Sequence, residues 1–398
     1  MAFIPSRAWY IGASLSSVIS KNTTHPLEYL HREGVLDAHI PPRVRAELLM
    51  DDIRHEHKRR FPLVSLKWSR AIINGILNGA PRERIELLSA YAPMDQNDTN
   101  DIFIFMVKHK EPEAYIRSFL LYFDPNTALR CQVSAWCFST LSRRACEAVF
   151  GHIGTWDVSE VTDMSHLFSA EKSEFNEEFN EDISGWNVSN VTDMSHMFFG
   201  ARSFNQPLVG WDVSNVTDMS GMFSCADSFN QPLEGWDVSS VTSMCSMFNE
   251  ATSFNQPLVG WDVSNVTDMS GMFEIAYEFN QNIGVWDVSN VTDMSYMFCG
   301  ADSFNQPIGE WNMSNVTDMS YMFLGAELFN QPIGGWDVSN VTSMRSMFQD
   351  AISFNQDVGR WNVSSVTEIC DMFLGAESFD QSLDTWNVSR AVEAALYT

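Results

Sequence analysis

The segment SFNQPLVGWDVSNVTDMSGMF occupies residues 203–223 and returns letter for letter at residues 253–273. Looser copies fill the space between the two and extend on both sides. Tryptophan marks the beat, at Trp156, Trp186, Trp211, Trp236, Trp261, Trp286, Trp311, Trp336, Trp361 and Trp386. The first interval is 30 residues and the eight that follow are 25 each. A fixed period of this length is the signature of a solenoid, in which each copy can bury its apolar face only against its neighbours. The expected architecture over residues 151–390 is therefore an array of about ten coils, one per 25 residues.

Within one coil the apolar letters recur at spacing three, as in Val238, Val241, Met244 and Met247. That spacing suits neither a long helix nor a strand; it suits short turns with inward points at successive corners. Letters that recur with the period stack on their counterparts. Phe204, Phe229, Phe254, Phe279, Phe304, Phe329, Phe354 and Phe379 form one expected column, and the tryptophans from Trp186 to Trp361 a second. Phe198, Phe223, Phe248, Phe273, Phe298, Phe323, Phe348 and Phe373 form a third. Each aromatic buries roughly 150–250 Å², enough to hold such a stack together.

Polar letters recur as faithfully. Asn205, Asn230, Asn255, Asn280, Asn305, Asn330 and Asn355 predict an asparagine ladder that satisfies inward-pointing backbone groups. Ser214, Thr217, Asp218 and their equivalents suit turn and capping bonds. A calcium ladder on Asp193, Asp218, Asp268, Asp293 and Asp318 is the rival reading. Against it, Ser243 and Ser343 replace the carboxylate without a gap and no glycine-rich calcium loop accompanies it. No cofactor is expected. The Asn-Val-Thr triplets at Asn190, Asn215, Asn265, Asn290, Asn315 and Asn340 read as structural, because a glycan on every coil at ~5 Å spacing would crowd the stack.

Charge divides the chain near residue 150. Residues 151–398 carry 35 Asp/Glu against 5 Lys/Arg, whereas residues 1–150 carry 16 against 19. So acidic an array excludes nucleic acid and anionic membrane as partners of the repeats, since both need clustered cations. No run of 18 apolar residues is present, so no membrane insertion is expected. The seven cysteines lack zinc-like spacing and read as free thiols of a reducing compartment.

Ahead of the repeats, residues 1–125 form an expected mainly α-helical domain whose role the sequence leaves open. Val44, Leu48, Leu49 and Ile53 fall on one face after Pro41 and Pro42, and further helical stretches run over 66–77, 82–92, 98–107 and 113–123. The basic run Arg54–Arg60 reads as a solvated helix face. Residues 126–150 predict one amphipathic capping helix, with Val133, Trp136, Leu141 and Val149 covering the end of the stack. Residues 391–398 are a short tail.

The string FNQ-[PD]-[LI]-x-x-W-[DN]-V-S-[NS]-V-T-x-M-x-x-MF-x-x-A resembles the 25–26-residue repeat of bacterial surface proteins and mycoplasma lipoproteins, the BspA-like leucine-rich-repeat family. The likeness covers about residues 126–390, including Trp136 and Cys137. It implies a leucine-rich-repeat-like α/β solenoid, with a parallel sheet of short strands on one face, used in adhesion and protein recognition. No lipobox, clear signal peptide or anchor is legible, so a cytoplasmic location is favoured, with the cell surface or secretion as the alternative.

The function expected on these grounds is that of a non-enzymatic scaffold recognising a protein or glycan along an extended acidic surface. A monomer is favoured, with self-association possible. The alternative is a structural or self-assembling array without a specific ligand, which light scattering across concentration would reveal. Enzymatic activity in the N-terminal region is remote. His55 and His57 are two apart and diverge on a helix, and no nucleophile elbow, phosphate loop or paired-carboxylate motif is present. Core letters cannot vary freely, so binding differences belong where the repeat varies most, the slot before the Met-Phe pair. That slot reads His196, Gly221, Ser246, Gly271, Tyr296, Tyr321, Ser346 and Asp371. Tyr296 and Tyr321, neighbours in the stack, and His196 are the candidate partner-binding residues.

Overall fold

The computed structural model describes residues 123–170 and 177–387. The helical stretches read between residues 41 and 122, the histidines of that region and the tail at 391–398 lie outside the described residues. The chain divides into two compact units, Met1–Ala135 with Leu141–Val149, and Trp136–Thr140 with Phe150–Thr398.

Two helices precede the repeats where one was expected: α1, Pro125–Phe138, and α2, Thr140–Phe150. Helix α1 starts as its sequence dictates. Asp124 Oδ1 accepts the Thr127 N–H at 3.0 Å and Pro125 takes the first helical position, where no N–H is needed. The break falls at Ser139, next to Thr140, two residues whose side chains compete with the helical backbone for hydrogen bonds. Beyond the break the Ser142 hydroxyl donates to the Ala135 carbonyl at 2.6 Å, satisfying an oxygen near the end of α1. Trp136, 1% exposed, stands edge-on to Trp156, with ring centroids 5.7 Å apart and planes at 89°.

Each repeat is a run of tight turns. In the copy from Phe254 to Phe279, the N–H groups of Trp261, Val266 and Met272 donate to the carbonyls three residues earlier, Leu258, Val263 and Met269, at 3.1, 2.9 and 3.2 Å. All six of those residues are buried, so each turn closes between two inward-pointing corners, which is why the apolar spacing is three.

Successive repeats lie against one another through backbone and side chains together. The N–H groups of Met269, Gly271, Phe273 and Ile275 donate to Asp293, Ser295, Met297 and Cys299 of the next repeat, at 3.1, 2.8, 2.9 and 2.6 Å. The intervening N–H groups of Met272, Glu274 and Ala276 turn back to carbonyls of their own repeat. This alternation limits regular pairing. Among the described residues the parallel contacts are isolated bridges, one per junction, from Asp163 with Asp193 through to Ser343 with Glu368. Strands of several residues would need a continuously extended backbone, and residues with positive φ recur here too often to allow it.

The aromatic letters form the core, with the two phenylalanine sets standing as two parallel columns joined by rungs: Phe198 stacks on Phe223 of the next repeat at 5.5 Å. Phe198 meets Phe204 at 4.1 Å, and Phe204 meets Phe229 of the next repeat at 5.9 Å. The tryptophans run alongside: Trp261 stacks on Trp286 at 6.4 Å and its Nε1–H donates to the Leu233 carbonyl of the preceding repeat at 3.0 Å. The same indole bond, reaching 28 residues back, recurs at Trp211, Trp236, Trp286, Trp311, Trp336 and Trp361.

The asparagines form a ladder with a partner that spacing alone did not reveal. Asn255 Oδ1 accepts the backbone N–H of Asn280 at 3.1 Å and the side-chain amide of Gln281 at 2.8 Å. Asn205, Asn230, Asn280, Asn305, Asn330 and Asn355 do likewise, so the Gln of each Phe-Asn-Gln triplet supplies a donor to the repeat before it. The Asn-Val-Thr side chains also bond between repeats. Asn265 Nδ2 donates to the Ser239 carbonyl at 2.8 Å, and at the equivalent position the Ser365 hydroxyl donates to Ser339 at 2.6 Å.

Candidate functional site

All eleven described non-glycine residues with positive φ fall in only two slots of the repeat. The first is the variable slot: His166, His196, Ser246, Tyr296, Tyr321, Ser346 and Asp371, with Gly221 and Gly271 completing it. The second lies four residues on: Cys225, Glu250, Ile275 and Asp350, with Gly200, Gly300, Gly325 and Gly375. The inter-repeat ladder imposes this conformation, because each of these non-glycine residues except Asp371, at the last described junction, sends its own N–H to the next repeat while its carbonyl, in the first slot, closes a turn within its own. The left-handed backbone costs an L residue about 1–2 kcal/mol, so glycine is the natural occupant. Bulky side chains there are outliers, and a β-branched one such as Ile275, at φ 57°, more so.

The candidate residues Tyr296, Tyr321 and His196 all stand in the first slot, at φ 59°, 60° and 55°. Tyr296 and Tyr321 stack at 4.5 Å with planes 15° apart, and Tyr296 remains 37% exposed. His196 stacks instead on His166, at 4.7 Å and 9°. Between the two aromatic pairs lie Gly221, Ser246 and Gly271, so the histidines and the tyrosines form separate features of one column rather than a single patch. The His196 ring leans over Gly221, where a Cβ would sit 2.7 Å from its Cδ2. Its Nδ1 is buried and has no hydrogen-bond partner among the described residues.

Beside the tyrosines runs a polar chain that the spacing did not single out. The Ser224 hydroxyl donates to Asn249 Oδ1 at 3.0 Å, and Asn249 Nδ2 donates to Glu274 Oε2 at 2.9 Å. Burial, and then the nearby Glu250 carboxylate, pushes the Glu274 carboxyl above its ordinary range. The Tyr296 phenol is likewise raised, first by burial, then by Tyr321 and by Glu274. The Cys299 thiol, buried next to the same carboxylate, is pushed up to about 12. A thiol held neutral in this way is a poor nucleophile.

The aspartates weighed as metal ligands serve the turns. Asp193, Asp218, Asp268, Asp293 and Asp318 each accept the N–H of the serine two residues on through Oδ1, at 2.8–2.9 Å. Among the described residues no three His, Cys, Asp or Glu side chains group as a metal site would require. The repeat cysteines Cys225, Cys245, Cys299 and Cys370 are free thiols. Among the described residues no helix is long and apolar enough to cross a membrane.

Residues 137–260, 231–323 and 303–397 each match the family described as Mycoplasma protein of unknown function, DUF285. The three matches overlap and together take in well over half of the chain, which belongs to this repeat family. No curated protein and no solved structure matches it.

Proposed function

We propose that this chain is a non-enzymatic recognition scaffold, its repeats an α/β solenoid of the BspA-like leucine-rich kind, and that a protein or glycan partner is read along the variable slot. The observation that carries the reading is the identity of residues held in a left-handed backbone. Glycine fits that slot at no steric cost and occurs at Gly221 and Gly271. Tyr296 and Tyr321 stand in the same conformation with large rings, one of them over a third exposed. Strain retained where the fold does not need the side chain points to a use outside the fold, and exposed aromatics are the usual anchors of recognition.

The test is selection of ligands for the full chain from a random peptide library and a glycan array, repeated with the Tyr296→Gly/Tyr321→Gly variant. Ligands enriched by the parent and lost with the variant are the expected result. No enrichment, or enrichment indifferent to both tyrosines, would refute the reading.

A further inference from the structure

The surroundings of Tyr296 narrow the chemistry of the partner. One face of its ring is covered by Tyr321, 4.5 Å away. The order of the column puts the other face on the side of Gly271, which carries no side chain of its own, and among the described residues no second ring stacks on Tyr296. Gly271 also lets the Glu274 carboxylate fold in against the backbone, since a Cβ there would lie 3.3 Å from its Oε2. The foot of the open ring face is thus a half-buried carboxylate, with Glu250 beside it. Ile275 continues the surface and Tyr277, 45% exposed, lies close by in sequence.

Neither Glu250 nor Glu274 has a Lys or Arg partner among the described residues, whose ion pairs in the repeats are His152 with Glu181 and Arg202 with Asp227. Two mutually repelling carboxylates at the base of an unstacked aromatic face form half of a cation site. The other half would be a flat cation that stacks on the ring and bonds to carboxylate oxygen in its own plane. A guanidinium does both.

Resting on the recognition reading above, we infer that this face docks an arginine-bearing, extended segment of a partner protein, one guanidinium lying on Tyr296 and bonding to Glu274. The acidity of the array supports this occupant. With 35 acidic against 5 basic residues over 151–398, the surface favours the approach of a cationic chain and rejects an acidic one. A neutral sugar could also stack on a tyrosine, but it would draw nothing from the carboxylate pair.

The experiment uses the full chain and a fluorescein-labelled synthetic peptide of Gly-Ser-Arg repeats, followed by fluorescence anisotropy at 150 mM salt. The same peptide with citrulline in place of arginine is the neutral control. Tyr296→Gly and Glu274→Gln should each weaken binding about tenfold, the scale of one desolvated cation–π or charged contact. Asp287→Asn removes the same charge from an exposed turn where the repeat elsewhere uses Asn312, and should change affinity less than about twofold. The citrulline peptide should not bind. Equal losses from Glu274→Gln and Asp287→Asn would mean diffuse attraction and overturn the site, as would binding indifferent to Tyr296→Gly or retained by the citrulline peptide. If the arginine peptide fails while library selection yields a tyrosine-dependent neutral ligand, the arginine site falls and the scaffold reading stands. Because glycine already occupies the Tyr296 position in two other repeats, a melting curve suffices to show that the variant folds.

Discussion

Replacing Ile275 by glycine and by alanine should reverse the usual order of the two residues. Ile275 is half-buried, so either change forfeits about 1 kcal/mol of apolar burial, roughly half the value for a fully buried isoleucine. Its φ of 57° adds a left-handed cost of about 1–2 kcal/mol, which glycine removes and alanine keeps. Glycine brings back about 0.5–1 kcal/mol through the greater freedom of its unfolded chain. The glycine variant should therefore melt near the parent, and above the alanine variant by about 0.5–1 kcal/mol. For a cooperative unit of this size, that is a difference of a few degrees. At exposed Glu234, whose φ is not positive, the order should be the ordinary one, alanine above glycine by about 0.4–1 kcal/mol. Thermal and urea melts followed by tryptophan fluorescence measure all four. Alanine equal to or above glycine at position 275 would refute the claim that the ladder imposes a left-handed backbone there, and with it the strain argument for the tyrosines.

Three further outcomes are expected. Trp261→Ala should cost about 3–5 kcal/mol, since the ring is 3% exposed and its Nε1–H bonds to the Leu233 carbonyl, while Glu234→Gln is nearly silent; equal melts would remove the tryptophans from the core. Gly284→Ala should cost about 1–3 kcal/mol through overpacking, because its Cβ would run into the Pro307 carbonyl oxygen, whereas Gly335→Ala meets nothing within 4 Å and should be mild. Stability should peak in mildly acidic solution, between the lowered and the raised carboxylates. Asp212, Asp237, Asp287 and Asp337 are held below the usual carboxylate range, first by serine hydroxyls and then by backbone N–H groups, so what they contribute is present above that range and lost as pH falls through it. Glu274 and Asp302 are raised, first by burial and then by Glu250 and Glu327, so theirs is present in acid and lost as pH rises through their elevated values. A melting temperature that climbs monotonically from pH 3 to pH 8 would contradict the pairing of these opposite shifts.

What was legible in the sequence is whatever the period multiplies. A side chain that must stack on its own copy recurs every 25 residues, and so Trp261, Phe254 and Asn255 could be assigned their roles from spacing. Features set by backbone conformation were harder to read. The two left-handed slots carried a signal, because Gly221 and Gly271 share a slot with His196 and Tyr296, and Gly300 and Gly325 share one with Ile275. That signal looked like variability, since non-glycine residues in the same slots conceal the shared φ. The parallel contacts are narrower than a leucine-rich-repeat likeness implies for the same reason. The donor role of Gln281 was hidden because a glutamine at the surface of a turn looks like solvated filler. The break at Ser139 depends on local competition between side chain and backbone, which amphipathic periodicity does not register.

The same multiplication restricts where specificity can reside. A change at Phe254 or Asn255 disturbs contacts to the repeats on both sides, so core and ladder letters are tied to their neighbours. The two left-handed slots are constrained in backbone but not in side chain: the fold requires positive φ there and is indifferent to what the residue carries, as Gly, Ser, His, Tyr and Asp in one slot demonstrate. They lie four residues apart on each repeat and recur at every junction, which makes a two-column grid with Gly221, Gly271 and Ser346 buried in it and Glu250 and Tyr296 exposed. In that grid the middle repeats hold Glu250, Ile275, Tyr296 and Tyr321, with Glu274 between, while the first repeats hold two stacked histidines. A partner reading the grid would meet different chemistry at each step along it. For the proposed arginine-bearing segment, a shift by one repeat would exchange Tyr296 for Gly271 or for Tyr321, whose face toward Tyr296 is already covered, so the slots would set its register while the rest of the repeat repeats.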